Sequence, residues 1–274
     1  MSMPSGTPPV ALTIAGSDPS GGAGIQADLK TFHQFGAFGT SAIVLLTVQN
    51  TRGVTGIEFL PPAFAAAQID AVLSDLPVRA AKTGALGKAA IIDAVADRLR
   101  EAAFPIVVDP VMLSKHGAPL VADDAIDAMI RALLPLATIV TPNLAEAERL
   151  SGVRIDRMDA MHDAARRIAA MGPRHVLIKA GHLSAADGRF AACDLLHSES
   201  GDEVFADERI DSTNTHGTGC VLSAAITALL ARGMSVGEAV IEARRHVRAA
   251  IRTAPGLGSW RSGGRGPVNM HAIA

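Results

Sequence analysis

Val10-Ala11-Leu12-Thr13-Ile14-Ala15 runs into Gly16-Ser17-Asp18-Pro19-Ser20-Gly21-Gly22-Ala23-Gly24, and the helical pattern Ile25-Gln26-Ala27-Asp28 follows at once. A short, almost wholly apolar run predicts a strand covered on both faces. That is the mark of a parallel sheet, not of an alternating, half-solvated antiparallel one. The Gly-rich segment carries the chain from strand to helix. It permits close approach of backbone to a ligand, and it is equally the composition of a flexible strand–helix loop.

The pattern repeats outward from this unit. Strands are predicted at 10–15, 41–48, 78–82, 106–109, 138–140 and 175–179, alternating with helices at 25–35, 63–74, 88–102, 123–134, 146–150 and 158–171. Segments 191–197 and 203–209 flank Ser198-Glu199-Ser200-Gly201-Asp202 and predict a hairpin at one sheet edge. Two more helices, 218–232 and 236–252, precede a Gly-rich tail at 256–266. The expectation is an α/β three-layer sandwich with a mostly parallel central sheet and an antiparallel edge hairpin. No repeat or long linker divides the chain, so residues 10–274 read as one domain behind a short disordered tail, 1–9. In such sheets ligands bind at the carboxyl ends of the strands. Gly16–Gly24, Gln49-Asn50, Lys82-Thr83-Gly84, Asp109-Pro110, Thr141-Pro142-Asn143 and Lys179-Ala180-Gly181-His182 all fall there.

Composition narrows the function. The chain has 274 residues, a formal net charge of −2, no tyrosine and few aromatics. Neither a polyanion-binding surface nor a stacking platform for nucleic acid is expected. The two cysteines, Cys193 and Cys220, form no metal-like or disulfide-like spacing, which suits a reducing cytoplasm. No apolar run reaches membrane-spanning length, and the first nine residues lack the features of a signal peptide.

Asn214-Thr215-His216-Gly217-Thr218-Gly219-Cys220 leads directly into the apolar helix Val221-Leu222-Ser223-Ala224-Ala225-Ile226. The glycines and the unpaired N–H groups at the helix start offer an anion cradle. The same dipole is expected to lower the thiol pKa of Cys220 and favour thiolate, making it a candidate base. A plain Gly-rich turn with a small cysteine is the alternative. His216 is read as a loop-shaping residue, and His116 and His182 as loop residues. Asn143 and Glu146 fit either a capping box or a role toward phosphate and metal-bound water. Asp109 suits Mg²⁺-bound water or a turn; Lys179 suits a nucleotide phosphate; Lys82 ends its strand in the same way and equally suits a structural charge. Dinucleotide, P-loop and nucleophile-elbow motifs are absent.

Taken together, Ala11 through Asp28, Val48-Gln49-Asn50-Thr51, Asp109-Pro110-Val111-Met112, Thr141-Pro142-Asn143-Leu144-Ala145-Glu146 and Asn214 through Cys220 make the chain resemble the hydroxymethylpyrimidine/phosphomethylpyrimidine kinases of thiamine biosynthesis, within the ribokinase-like superfamily. The resemblance runs from about residue 11 to 267. It implies phosphorylation of 4-amino-5-hydroxymethyl-2-methylpyrimidine and then of its monophosphate, with ATP and Mg²⁺, in a homodimer. Gly16, Ala23, Asp28, Gln49 and Val111 would line the pyrimidine pocket, with Gln49 and the Gly16 backbone hydrogen-bonding the ring. Cys220 would be the base, Gly217, Thr218 and Gly219 the anion hole, Asp109 and Glu146 the metal side, and Lys179 and Asn143 the ATP side. The chain departs from the family at Ala85, where Met often walls the pocket, and at Ala180 and Arg265. Two rival readings stand beside this one: a pyridoxine/pyridoxal kinase, and a non-catalytic pyrimidine-binding sensor.

Overall fold

The computed structural model describes residues 6–112, 123–181, 192–258 and 265–273. His116 and His182 lie outside the described residues. The strands are β1 (Val10–Ser17), β2 (Phe38–Asn50), β3 (Gly53–Phe59), β4 (Val78–Thr83), β5 (Ile106–Val108), β6 (Ile139–Val140), β7 (His175–Ala180), β8 (Ala192–Ser198) and β9 (Gly201–Asp207). The helices are α1 (Gly24–Gln34), α2 (Pro62–Asp75), α3 (Ala89–Leu99), α4 (Asp123–Ala128), α5 (Leu144–Ser151), α6 (Met158–Ala169), α7 (Thr218–Ala231) and α8 (Val236–Arg252).

Among the described residues, all strands join one nine-stranded sheet of order β3-β2-β1-β4-β5-β6-β7-β8-β9. The pairings from β2 through β1, β4, β5 and β6 to β7 are parallel. β8 and β9 form the predicted hairpin, closed by Glu199-Ser200 with Gly201 at φ +134°. The opposite edge differs from expectation: β3 pairs antiparallel with β2, so both edges are antiparallel. Glycines and Glu58 interrupt the β3 run, and an Asx turn at Asn50, whose Oδ1 accepts from Arg52 N at 2.8 Å, makes the reversal. The helix predicted at 123–134 is also modified. After α4 it widens into a π turn at Met129–Leu133 and ends in a 3₁₀ turn at Leu134–Leu136, where Pro135 cannot donate.

The helices cover both faces. α2 through α6 pack on one side with Leu12, Ile14, Ala81 and Val108, and α1, α7 and α8 on the other with Ala11, Ala80, Val107, Ile139 and Leu177. α7 is buried all round from Val221 to Ala231, as its uniformly apolar sequence requires. Strand order reverses between β1 and β4, so the loops after β1 and β4 open at the topological switch point.

Candidate active site

The two-residue period of the strands assembles the polar groups. Ala11, Ala80, Val107, Ile139 and Leu177 face α7 and α8. Two residues beyond each lie Thr13, Lys82, Asp109, Thr141 and Lys179 on the same face. Five strands therefore deliver one polar row beneath the start of α7.

Asp109 is the hub of that row. It is buried; its Oδ1 accepts from Lys179 Nζ at 3.2 Å and Thr141 Oγ1 at 3.4 Å, and its Oδ2 from Ser223 Oγ at 3.2 Å. Burial works against the Lys179 ammonium, but Asp109 and Glu146 outweigh it and raise Lys179 above the usual lysine range. The lysine is held as a cation pointing at the helix.

The glycine turn and the open helix start form where the sequence predicts, with one adjustment. Gly217 caps α7 at φ +84°, and a Cβ there would lie 1.9 Å from Gly22 O, so only glycine fits. The first helical bond runs from Val221 N to Gly217 O at 2.8 Å, leaving Gly219 and Cys220 N–H without a helical acceptor. A Cβ on Gly219 would sit 3.5 Å from Lys179 Nζ and 3.7 Å from Asp109 Oδ2. Thr218 instead turns back on the loop, its Oγ1 donating to Thr215 O at 3.2 Å and its N–H reaching the same oxygen at 3.4 Å. Gly219 and Cys220 offer the free donors.

Glu146 fulfils its capping-box reading. Asn143 Oδ1 accepts from Glu146 N at 3.0 Å, and Asn143 N donates to Glu146 Oε2 at 2.8 Å, a complete capping box on α5. The carboxyl is also buried among charges. Burial pushes it up to about 7; Lys179 and the Asn143 and Met112 N–H groups pull it down, and Asp109 pushes it further up. Asn143 itself is exposed and aligned with Lys179 as an isolated bridge.

Cys220 departs from expectation. Burial pushes its thiol up to about 12, with Lys82 the main charge opposing the rise, so the resting group is a thiol and not a thiolate. The residue keeps some accessible surface at the head of α7. Desolvation outweighs the helix dipole, because Cys220 packs against the apolar cluster of Ala27, Val221, Ala250 and Val268.

Asp28 also departs from expectation. It has no accessible surface, so its carboxylate is turned into the interior and is not open to a ligand. Its Oδ1 accepts from the equally buried Lys82 Nζ at 2.7 Å and its Oδ2 from Thr13 Oγ1 at 2.6 Å. Gly16 ends buried in β1, Gln49 is half-buried on β2, Ala23 enters α1, and Ala85 and Val111 are half-buried after β4 and β5. These are brought to the carboxyl ends of the strands on either side of the switch point.

His216 carries more than a loop-shaping role suggests. Buried, it holds Asp18 Oδ2 through Nε2 at 2.8 Å and lies 3.5 Å from Gln49 Nε2. Asp18 in turn accepts from Ser20 N, Ser20 Oγ and Ala23 N at 2.9, 2.7 and 2.9 Å. Burial alone would raise Asp18, yet these bonds, His216 first, bring it below the usual carboxylate range. His216 N donates to Gly266 O, and Val268 N to His216 O, so the C-terminal segment is stitched to the cradle. Neither Asp18 nor Ser223 stood out in the sequence. The only available signal for both was their place inside the Gly-rich loop and the first turns of α7.

Known proteins point the same way. The family model described as phosphomethylpyrimidine kinase matches residues 18–269. The chain is 49% identical over 264 residues to the thiamine biosynthesis bifunctional protein ThiED of Geobacter sulfurreducens, covering 96% of this chain and 52% of that relative, about half its length. It is 46% identical over 263 residues to the hydroxymethylpyrimidine/phosphomethylpyrimidine kinase of Streptomyces coelicolor, covering 96% of this chain and 94% of the relative. The pyridoxal kinase from Staphylococcus aureus, solved in complex with ADP, superposes with a TM-score of 0.86 at 36% identity, covering 97% of this chain and 95% of that one. With a ribokinase-like fold and these relatives across nearly its whole length, the chain belongs to the phosphomethylpyrimidine kinase family.

Proposed function

We propose that this protein transfers the γ-phosphoryl group of ATP to the hydroxymethyl oxygen of 4-amino-5-hydroxymethyl-2-methylpyrimidine, and then phosphorylates the monophosphate to the diphosphate. The observation that carries the reading is the convergence of Lys179 Nζ and Asp109 Oδ2 on Gly219, in the first turn of a helix whose N–H groups are free. That arrangement suits charge spread over a moving phosphoryl group.

In the first step Cys220 acts in its deprotonated form, a minor fraction of a thiol held at about 12. The hydroxyl oxygen bonds to the γ-phosphorus, the bond from phosphorus to the ADP oxygen breaks, and the hydroxyl proton passes to the Cys220 thiolate, which becomes the thiol. In the second step the acceptor oxygen is already anionic, so the base matters little. Lys179 steadies the ATP phosphates with Asn143 at its side. Gly217 sets the turn, and the Gly219 and Cys220 N–H groups receive the transferring group. Gly16, Ala23, Gln49, Ala85 and Val111 enclose the ring, and the His216–Asp18 pair orders the loop that covers it.

Asp109 and Glu146 fit Mg²⁺: both are hard oxygen donors, and among the described residues no third His, Cys, Asp or Glu completes a protein cage. The raised Glu146 carboxyl fits the same role, because a nearby dication relieves the repulsion from Asp109. Bound there through water, the ion would supply charge neutralisation between the phosphates.

Pyridoxal phosphorylation is the second reading, favoured by the small Ala85 beside the switch point and by the similarity to the pyridoxal kinase structure. A homodimer is supported by Phe38, Leu46 and Val48, exposed along one face of β2. A cytoplasmic setting accords with the free thiols and with the absence, among the described residues, of any helix long and apolar enough to cross a membrane.

A coupled ADP-release assay with the pyrimidine alcohol, its monophosphate and pyridoxal tests the proposal. Turnover of both pyrimidines is expected, with Lys179→Ala raising the ATP requirement. Turnover of pyridoxal alone would replace the reading with the second one. Pyrimidine binding without ADP release would leave only a sensor.

A further inference from the structure

The buried Lys82–Asp28 pair has no part in the chemistry described so far, yet Lys82 belongs to the polar row beneath the start of α7, and Asp28 follows Ala27, whose cluster packs against Cys220. The backbone N–H of Gly24, at the start of α1, is one of the groups that favour the Cys220 thiolate. Asp28 stands four residues on, one turn along the same face of α1. Ala27, Val221 and Cys220 share one apolar cluster, so α1 and α7 are in contact at this level. Asp28 grips Lys82 Nζ at 2.7 Å and the Thr13 hydroxyl at 2.6 Å, and neither Asp28 nor Lys82 has accessible surface. Each carboxylate oxygen thus accepts one donor, the pattern of an ionised pair. Burial raises the Asp28 carboxyl even against the pull of Lys82; burial also works against the lysine, but Asp28 foremost, with Asp109, outweighs it and holds Lys82 charged.

A buried ion pair is an expensive way to fill space, since apolar residues of similar size do as well or better. Here it fixes a cation whose charge acts on the one nucleophilic side chain of the cradle. We infer that Lys82, oriented by Asp28 and Thr13, is a positioning residue that stabilises the deprotonated form of Cys220 during the first phosphorylation.

The charges facing Cys220 are Lys82 on β4, Asp28 on α1, Asp109 after β5 and Lys179 on β7. Lys82 is the strongest of those named on the thiol and favours thiolate, while Asp28 and Asp109 oppose it. Lys82 has no accessible surface, so substrate cannot displace it, and its fixed charge acts on the thiol. The inference rests on Cys220 being the base, but its first readout does not.

That readout is the rate of iodoacetamide alkylation at Cys220, mapped by mass spectrometry to separate it from Cys193, in the full chain across pH 7–9. Lys82→Met leaves Asp28 buried and unpaired and risks misfolding, so the decisive protein is the double variant Lys82→Met/Asp28→Leu. It removes both charges and restores an apolar fill. An opposite charge at this range shifts a titration by about one to three pH units, and loss of Asp28 returns part of that. The double variant is expected to melt like the wild type, to alkylate about tenfold more slowly, and to lose about tenfold in alcohol phosphorylation while keeping monophosphate phosphorylation. Wild-type alkylation in a folded double variant overturns the inference and makes the pair structural. Slower alkylation with an unchanged first step also overturns it. Alcohol phosphorylation that survives Cys220→Ala, beside slow alkylation in the double variant, overturns the base assignment while leaving the coupling between Lys82 and Cys220 in place.

Discussion

Replacing Glu146 by Gln keeps a capping-box side chain at the third position of α5 but removes a buried charge. Glu146 is 5% exposed, and its carboxyl rises from 4.5 to about 7, chiefly through burial. Because the folded-state value is raised, the folded chain binds this proton more tightly than the unfolded chain does. The stability from the protonated group is full below about pH 4.5 and is lost as pH rises through about 7. By pH 8 the ionised carboxylate costs about 3 kcal/mol relative to a neutral group. Glu146→Gln is therefore expected to raise the melting temperature of the ligand-free protein at pH 8, by on the order of 5 °C for a chain of this size. Near pH 4.5 the two proteins should melt together within about 1 °C. Kinase activity should fall at least ~10-fold, the loss expected when a group tuned for charge is neutralised. Calorimetry at the two pH values and a Mg²⁺ titration of activity are the assays. A variant that melts lower at both pH values with unchanged kinetics would refute this reasoning and leave Glu146 as a cap alone.

Three further outcomes follow from the site. With the Cys220 thiol at about 12, kcat/KM for the alcohol is expected to climb about tenfold per pH unit between pH 7 and 9. Cys220→Ala should be flat over that range and lower by roughly 10²–10⁴, with the monophosphate step spared; a flat wild-type profile would remove Cys220 as the base. Gly217→Ala forces φ +84° on a residue with a Cβ 1.9 Å from Gly22 O. It should cost more than ~2 kcal/mol in urea unfolding and abolish turnover, and an unchanged unfolding midpoint would contradict the packing described. Ala85→Met adds an apolar side chain beside the switch point and should favour the pyrimidine over pyridoxal by up to roughly a hundredfold in kcat/KM, an effect of ~1.5–3 kcal/mol. An unchanged ratio would show that position 85 does not face the substrate.

Sequence alone determined the layered α/β plan, the predicted hairpin at β8–β9 and the glycine turn before α7. These are local: an apolar run, a helical period and a glycine that must turn are each written within a few residues. β3 escaped notice because an edge strand packs on one side only and tolerates the glycines and charge that blur its pattern. The capping box at Asn143 and Glu146 was also legible, since its spacing is fixed by a single helical turn.

Tertiary structure decided which polar residues share an environment. Lys82 and Lys179 close their strands in the same way, yet one is sealed against Asp28 and the other reaches Asp109 beneath Gly219. Asp28 looked like a pocket residue and became half of a buried pair, because α1 turns it inward toward β4. Cys220 looked like a thiolate because a helix dipole is visible in sequence, whereas the desolvation that outweighs it is not. A dipole is a property of one segment; burial and charge pairing depend on everything packed around a group, and only the folded chain specifies those neighbours.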